Sequence, residues 1–184
     1  MSRNLQAASG ENGAARCTAV LCGSSLAMWG AICYTLHQRK AKGSVAMQPY
    51  TKKVQYYETD MMGIAHHANY IRWMEEARID FLDRMGFPYA RMEAEGIISP
   101  VRAVSCQYKR PCTCSDTLNI SVAVDGFNGV VLTLRYDMTN AISGELVCQA
   151  KSEHVFMRRG GGILRMKRDM PEFTAAIEGM CPKP

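Results

Sequence analysis

The sequence predicts an α+β fold in which a five-stranded antiparallel sheet wraps around one long helix. One observation is a segment at residues 68–85 whose apolar side chains recur at steps of one, three or four. Another is a series of alternating apolar and polar stretches, separated by turn residues, over residues 97–157. A sheet of this kind must bury one face, and the helix is the only long amphipathic segment available to cover it.

The first element is a strand predicted over residues 49–59, with Val54 and Tyr56 on one face. The pattern stops at residues 60–63, where Gly63 can adopt the backbone conformation of a sharp turn that most residues resist. A turn is therefore expected directly before the long helix.

The long helix is predicted over residues 68–85. Its apolar side chains form one broad face, and they are Tyr70, Ile71, Trp73, Met74, Ala77, Phe81, Leu82 and Met85. Gly86 lies where a helix C-cap is expected, and Pro88 follows it. The long helix should therefore end there, and a short helix is predicted over residues 89–94.

Four more strands are predicted, joined by three consecutive hairpin-type connections; they cover residues 97–110, 117–124, 130–138 and 145–157. One helix cannot cover both faces and every edge of the resulting sheet. We therefore expect a homodimer or homotetramer, formed through sheet edges or across the side that carries the helix.

The net charge of +5 is distributed unevenly along the 184 residues. Residues 1–46 contain five basic side chains and one acidic one, whereas residues 47–184 contain 17 basic and 16 acidic side chains. A nearly neutral domain argues against general nucleic-acid binding, whose strength scales with the number of phosphates neutralised. The eight cysteines are interpreted as free thiols, because a chain of this size does not need disulfides for stability.

Residues 1–46 are interpreted as an N-terminal extension. Their uncharged run at residues 17–38 is long enough to cross a bilayer as a helix, and the basic residues after it would then place the rest of the chain in the cytoplasm. Two alternatives to a membrane anchor are a transit segment for an organelle and an upstream extension, with translation that truly starts at Met47. The predicted boundaries are an extension at 1–46, a domain at 47–160 and a basic tail with a short helix at 161–184; membrane contact is expected only if residues 17–38 span.

One motif combines residues that could carry chemistry. A tyrosine and an acid precede a turn, Asp60 lies three residues ahead of Gly63, His67 follows Asp60 by seven residues, and Tyr70 comes three residues later. A Glu-x-Ala-Arg sequence that ends at Arg78 follows within the predicted helix. This pattern resembles the signature of the hot-dog-fold acyl-CoA thioesterases, in the branch typified by 4-hydroxybenzoyl-CoA thioesterase.

A second cluster supports the same resemblance. It is Tyr108-x-x-Pro111, with Asp116 five residues further on, and it is similar to a strand-to-strand junction of that family. The resemblance covers residues 50–157, and the predicted order of helices and strands agrees with it. It implies a hot-dog fold and the hydrolysis of acyl-CoA, and we expect this reaction to need no metal or organic cofactor. Whether acyl-carrier protein thioesters are substrates as well depends on the depth of the pocket, which the sequence leaves open.

The resemblance also implies roles for individual residues. Asp60 would be the catalytic carboxylate, acting as nucleophile or as the base that activates water, while the backbone N–H of His67 would polarise the carbonyl. Tyr56 is a third candidate catalytic residue. Gly63, Ile64 and Tyr70 are expected to bind the substrate.

Basic groups should flank the site, since CoA carries phosphates. Arg158 and Arg159 begin a basic stretch after the last predicted strand and are expected to bind these phosphates, although a solvated tail is an equal alternative. Lys109 and Arg110, next to Pro111, are another candidate pair.

Elementary chemistry agrees with the assignment of Asp60. Thioester hydrolysis needs charge stabilisation at the carbonyl oxygen and a base or nucleophile at the carbon, and a helix N-terminus offers free N–H groups and partial positive charge. Structural alternatives remain at each position. Asp60 could hold an Asx-turn, either His66 or His67 could point inward, and Glu75 with Arg78 could form an ion pair at the border of the apolar face.

Two other functions remain open from the sequence. A dehydratase acting on 3-hydroxyacyl thioesters would need an acid/base pair, which Asp60 and His67 could supply. A non-catalytic acyl-CoA-binding module would need only the pocket. A metal site of Asp60, His66 and His67 is disfavoured, because adjacent side chains on a helix point about 100° apart.

Overall fold

The computed structural model describes residues 47–182. The extension predicted at residues 1–46, including the hydrophobic run at 17–38, lies outside the described residues. Each helix among residues 47–182 is too short or too polar to span a lipid bilayer.

The described chain contains seven strands and four α-helices. A single turn of 3-10 helix at Tyr56–Glu58 follows the first strand. In chain order the elements are β1 (Tyr50–Lys53), α1 (His67–Arg84), α2 (Tyr89–Ala94), β2 (Ile97–Ile98), β3 (Val101–Tyr108), β4 (Thr117–Phe127), β5 (Val131–Asn140), β6 (Leu146–Val155), β7 (Met157–Arg158), α3 (Met166–Asp169) and α4 (Pro171–Glu178).

Five strands form one antiparallel sheet in the order β1-β4-β5-β6-β3. The predicted five-stranded antiparallel sheet is confirmed, but the three consecutive hairpins are wrong. Only β4–β5 and β5–β6 are hairpins within residues 47–182, because β3 pairs with β6 at one edge while β4 pairs with β1 near the other. Strand β3 is therefore an edge strand of eight residues.

Two of the predicted strands are shorter than expected. The strand predicted over 97–110 breaks at Ser99 and Pro100, and its first part pairs with β7 in a separate two-stranded sheet. Proline lacks the N–H that a continuous ladder needs. The strand predicted over 49–59 ends at Lys53, because the Glu58 side chain accepts the N–H of Gln55 (2.7 Å) and closes a 3-10 turn instead.

Helix α1 begins and ends within one residue of its predicted bounds and packs on the sheet. Trp73 and Ala77 are completely buried, as are side chains of the central strands β4 and β5 that include Leu118, Ile120 and Leu134. The predicted apolar face is wrong at Ile71, which is exposed. The helix ends as predicted at Gly86, whose φ of +83° lets the N–H of Phe87 reach the carbonyl of Leu82 at 3.0 Å.

A polar network lies buried between α1 and the sheet. Arg78 contacts Glu75 at 3.8 Å, which confirms the predicted ion pair, but Arg78 is buried and lies over the ring of Tyr89. The Ser152 hydroxyl oxygen lies 2.7 Å from Nε2 of His154. Burial and the nearby Arg78 guanidinium lower the pKa of His154 to about 4, so its imidazole is neutral at physiological pH.

The segment predicted as a basic tail contributes to the core. The ring of Phe173, in α4, is fully buried and lies 5.2 Å from the rings of Phe87 and Phe156 and 6.3 Å from that of Phe127. The N–H of Met166 donates to the carbonyl of Gly129 at 2.9 Å. The C-terminal helices therefore belong to the same packed unit as the sheet.

Replacing this aromatic ring should destabilise the whole domain. Phe173→Ala is expected to lower the free energy of unfolding by about 3–5 kcal/mol, since it removes a large buried side chain and leaves a cavity. Urea denaturation monitored by tryptophan fluorescence measures this. The control is Ile163→Ala at an exposed position of the same segment, which should change stability by less than about 0.5 kcal/mol. Equal effects of the two substitutions would contradict the packing described here.

Candidate functional site

A tight turn precedes helix α1, as the sequence predicted. Thr59 pairs with Ala65, and the N–H of Asp60 donates to the carbonyl of Ile64 at 3.0 Å. The N–H of Gly63 donates back to the carbonyl of Asp60 at 2.9 Å, with a φ of +74° that favours glycine. The turn places Asp60 beside Ile64, and Ile64 lies three residues before His67, the first residue of the helix.

The carboxylate of Asp60 holds this turn with one oxygen. Oδ1 accepts the N–H of Met62 at 2.8 Å, which is the Asx-turn considered from the sequence. Oδ2 accepts no hydrogen bond from any residue between 47 and 182, and the side chain is half-buried. One carboxylate oxygen is thus structural and the other is available for chemistry.

The first turn of α1 leaves one backbone donor free. His66 is the N-cap, and its Nδ1 accepts the N–H of Ala68 at 3.3 Å while its carbonyl accepts that of Asn69 at 2.9 Å. The N–H of His67 has no partner in the described part of the chain. The structure therefore gives the two histidines different places: the imidazole of His66 caps the helix, and His67 lines the groove described below.

Glu58 ties the turn to the helix, a role that the sequence analysis missed. The side chain is only 5% exposed, and its carboxylate accepts Trp73 Nε1 at 2.8 Å and lies 3.3 Å from Lys52 Nζ. Its backbone carbonyl accepts the N–H of His66 at 2.8 Å and the side-chain amide of Asn69 at 2.7 Å. Burial alone would raise the pKa of Glu58, but the hydrogen bonds that its carboxylate accepts from Trp73 and from the N–H of Gln55, together with Lys52, outweigh burial and hold the pKa below its usual value.

A groove of about 350 Å³ opens beside the helix N-terminus. It runs past the aromatic rings of Tyr70 and Tyr108, whose centroids lie 5.0 Å apart. The Tyr108 hydroxyl donates to the carbonyl of His67 at 3.2 Å, and the Tyr70 hydroxyl lies 3.2 Å from Cys112 Sγ. Burial is the main reason that the pKa of Tyr70 is raised and that of Tyr108 reaches about 12, so both are neutral hydroxyls at physiological pH.

The structure brings together most of the residues that the motif singled out. Asp60 and Gly63 form the turn, and Ile64, His67 and Tyr70 line the groove.

Three predicted residues lie elsewhere in the chain. Tyr56 is 83% exposed and is not part of the groove lining. Arg158 pairs with Ile97 in the two-stranded sheet, and Arg159 lies 4.0 Å from Glu93 of α2. Their contact with substrate stays a prediction.

Comparisons with known proteins point to one family. A sequence model of the thioesterase-like superfamily matches residues 54–177. The putative acyl-CoA thioesterase YneP of Bacillus subtilis is 33% identical over 127 residues, which cover 68% of this chain and 91% of the relative. A putative esterase of Aquifex aeolicus is 33% identical over 111 residues, or 60% of this chain and 85% of the relative. The solved structure of a DHNA-CoA thioesterase from Staphylococcus aureus superposes with a TM-score of 0.68 at 30% identity, covering 71% of this chain and 88% of that one.

Neutralising the buried carboxylate should loosen the turn and the helix together. Glu58→Gln is expected to lower the free energy of unfolding at pH 7 by about 1–3 kcal/mol, because a charge-assisted hydrogen-bond network is lost. The carboxylate of the folded protein has a pKa below the usual value of 4.5, so its stabilisation is complete above pH 4.5 and disappears as the pH falls through the folded-state pKa.

Urea denaturation at pH 7 and at acidic pH checks both statements. The difference between Glu58→Gln and the unmodified protein should shrink in acid. Glu76→Gln is the matched control, since Glu76 also contacts Lys52 but is 40% exposed, and it should cost less than about 1 kcal/mol. A constant difference at all pH values would show that the charge of Glu58 does not stabilise the fold.

Proposed function

The chain belongs to the thioesterase-like superfamily and is a thioester hydrolase, and we propose that it hydrolyses acyl-CoA with Asp60 as the catalytic carboxylate. Its antiparallel sheet and buried helix are the hot-dog fold that the motif implied. One observation carries the assignment: the half-buried carboxylate with a free oxygen lies on the turn that leads directly into a helix whose first N–H is also free.

The proposed mechanism uses both free groups. The thioester carbonyl oxygen accepts the N–H of His67, where the partial positive charge of the helix N-terminus stabilises the negative charge that develops on it. Oδ2 of Asp60 either attacks the carbonyl carbon or removes a proton from the attacking water; both routes fit the groups described. The carbon–sulfur bond then breaks, the thiolate of CoA leaves, and water supplies the hydroxyl of the free acid.

The groove supplies the rest of the proposed substrate site. Ile64 and Tyr70 form its apolar wall, and Gly63 keeps the turn that presents Asp60. Tyr56 is exposed and lies outside the groove of its own chain. It would therefore contact substrate only in the groove of a partner subunit. A cytoplasmic location belongs to the same proposal and is supported by the five free cysteines among residues 47–182, which a reducing compartment preserves.

We also propose a homodimer that pairs two copies through strand β3. This edge strand leaves a row of backbone groups unpaired. Val104 and Tyr108 of the strand, and Ile71 of α1, are exposed apolar side chains, and Tyr108 also lines the groove. A second copy on this edge would cover these side chains and bring its residues close to the groove.

Removing the charge of Asp60 should abolish most of the turnover. Asp60→Asn is expected to lower kcat by about 10²–10⁴, as for loss of a catalytic base or nucleophile. Asparagine retains the Oδ1 that accepts the N–H of Met62, so the turn and the melting temperature should be preserved. Release of free thiol from acyl-CoA, followed with a thiol reagent, measures the rate and also distinguishes hydrolysis from dehydration.

Asp137→Asn is the control, because Asp137 lies beside Arg135 on β5 and does not line the groove, and its rate should be unchanged. Near-normal turnover in Asp60→Asn would remove Asp60 from the mechanism.

A charge at the centre of β3 should dissociate the dimer. In Val104→Lys, each copy would bring a charge into the apolar surface that the paired β3 strands cover, and burying an unpaired charge is costly. Analytical ultracentrifugation should then give the mass of one chain. Ile142→Lys makes the same change at an exposed turn between β5 and β6 and should leave the dimer intact. A monomeric unmodified protein would contradict the proposal.

A further inference from the structure

The groove beside the helix N-terminus ends at two cations. Lys109 and Arg110 directly follow β3 and line the groove together with Tyr108 and Pro111. None of its described lining residues is acidic. The groove therefore runs from His67, at the start of α1, to a site of positive charge.

The backbone fixes where this pair lies. The N–H groups of Lys109 and Arg110 both donate to the carbonyl of Val147, at 2.8 and 3.1 Å. The Tyr108 hydroxyl in turn donates to the carbonyl of His67 at the start of α1. The cations are thus tied by short hydrogen bonds to the sheet edge and to the end of the helix that carries the proposed chemistry.

Neither cation is neutralised by a buried partner. Lys109 Nζ contacts the neutral amide of Gln107 at 2.9 Å and forms no salt bridge with residues 47–182. Arg110 lies 3.2 Å from Glu145, but both side chains are more than half exposed, so this surface pair is weak and its guanidinium can exchange partners. Both groups can therefore bind an anion that enters the groove.

We propose that Lys109 and Arg110 bind the phosphates of CoA and so make the enzyme selective for CoA thioesters over thioesters of phosphate-free thiols. This inference rests on the proposed function. Guanidinium and ammonium groups are the usual protein ligands of phosphate. Tyr70 and Tyr108 line the groove between the cations and His67. The pantetheine arm of CoA would lie along this apolar part of the groove.

The assignment separates this pair from Arg158 and Arg159. Those arginines lie beside α2, with Arg159 near Glu93, and do not line the groove of their own protomer. Lys109 and Arg110 reach the groove without a second subunit. Substituting one pair or the other should therefore affect CoA binding differently.

The test is the double substitution Lys109→Gln with Arg110→Gln. Binding of free CoA, measured by calorimetry, should weaken by about 10- to 100-fold through the loss of two charge-assisted contacts. Binding of pantetheine, which lacks phosphate, should not change. In hydrolysis of acyl-CoA, KM should rise while kcat stays within about twofold, since the contacts lie away from the reacting carbonyl.

The matched control is Arg135→Gln with Lys151→Gln, which removes the same charge from outer-sheet side chains that contact Asp125. It should bind CoA normally. The proposal is overturned if the Lys109/Arg110 variant binds CoA normally, if it loses pantetheine equally, or if Arg158→Gln with Arg159→Gln carries the whole loss. Equal hydrolysis of an acyl-carrier protein thioester, with an equal loss in the variant, would overturn the assignment to CoA.

The calorimetric measurement does not depend on turnover. An unmodified protein that binds CoA without hydrolysing its thioesters would contradict the proposed function and leave the phosphate site supported. Normal hydrolysis by the unmodified protein, together with unchanged CoA affinity in the variant, would support the proposed function and contradict the phosphate site.

Discussion

The buried carboxylate of Glu58 is the interaction on which the rest of the site depends. An ionised group inside a protein is tolerated only when hydrogen bonds and opposite charge compensate for the lost hydration. Here the compensation comes from three separate parts of the chain: Lys52 from the edge strand β1, the N–H of Gln55 from the 3-10 turn, and Trp73 from α1. Satisfying this one charge fixes the turn against the helix, and with it the relation between Asp60 and the N–H of His67.

Local sequence signals predicted the elements whose contacts are close along the chain. The spacing of apolar residues placed α1 to within one residue, and Gly63 and Gly86 marked the turns at its two ends. The strand order could not be predicted in the same way. The pairing of β3 with β6 joins residues such as Cys106 and Ala150, and no local pattern distinguishes that partner from the next strand in the chain.

The residues of the candidate site likewise fall into those that a local motif could predict and those that only the tertiary fold brings together. Asp60, Gly63, Ile64, His67 and Tyr70 fall within eleven residues, so a motif could find them. Tyr108, Lys109 and Arg110 enter the groove only because β3 lies at the sheet edge beside the start of α1. Glu58 was visible as an acid before the turn, but its burial follows from Trp73 and Lys52, whose positions relative to it depend on the tertiary fold.

The position of Phe173 also limits when this protein can finish folding. The ring completes an aromatic cluster whose other members, Phe87, Phe127 and Phe156, all precede it in the chain. During synthesis on the ribosome the sheet and α1 emerge first, with the surface meant for Phe173 still open to water. Final closure of the core must wait until helix α4 has left the exit tunnel, so chains that stall or terminate before α4 expose an apolar surface that quality-control chaperones can bind.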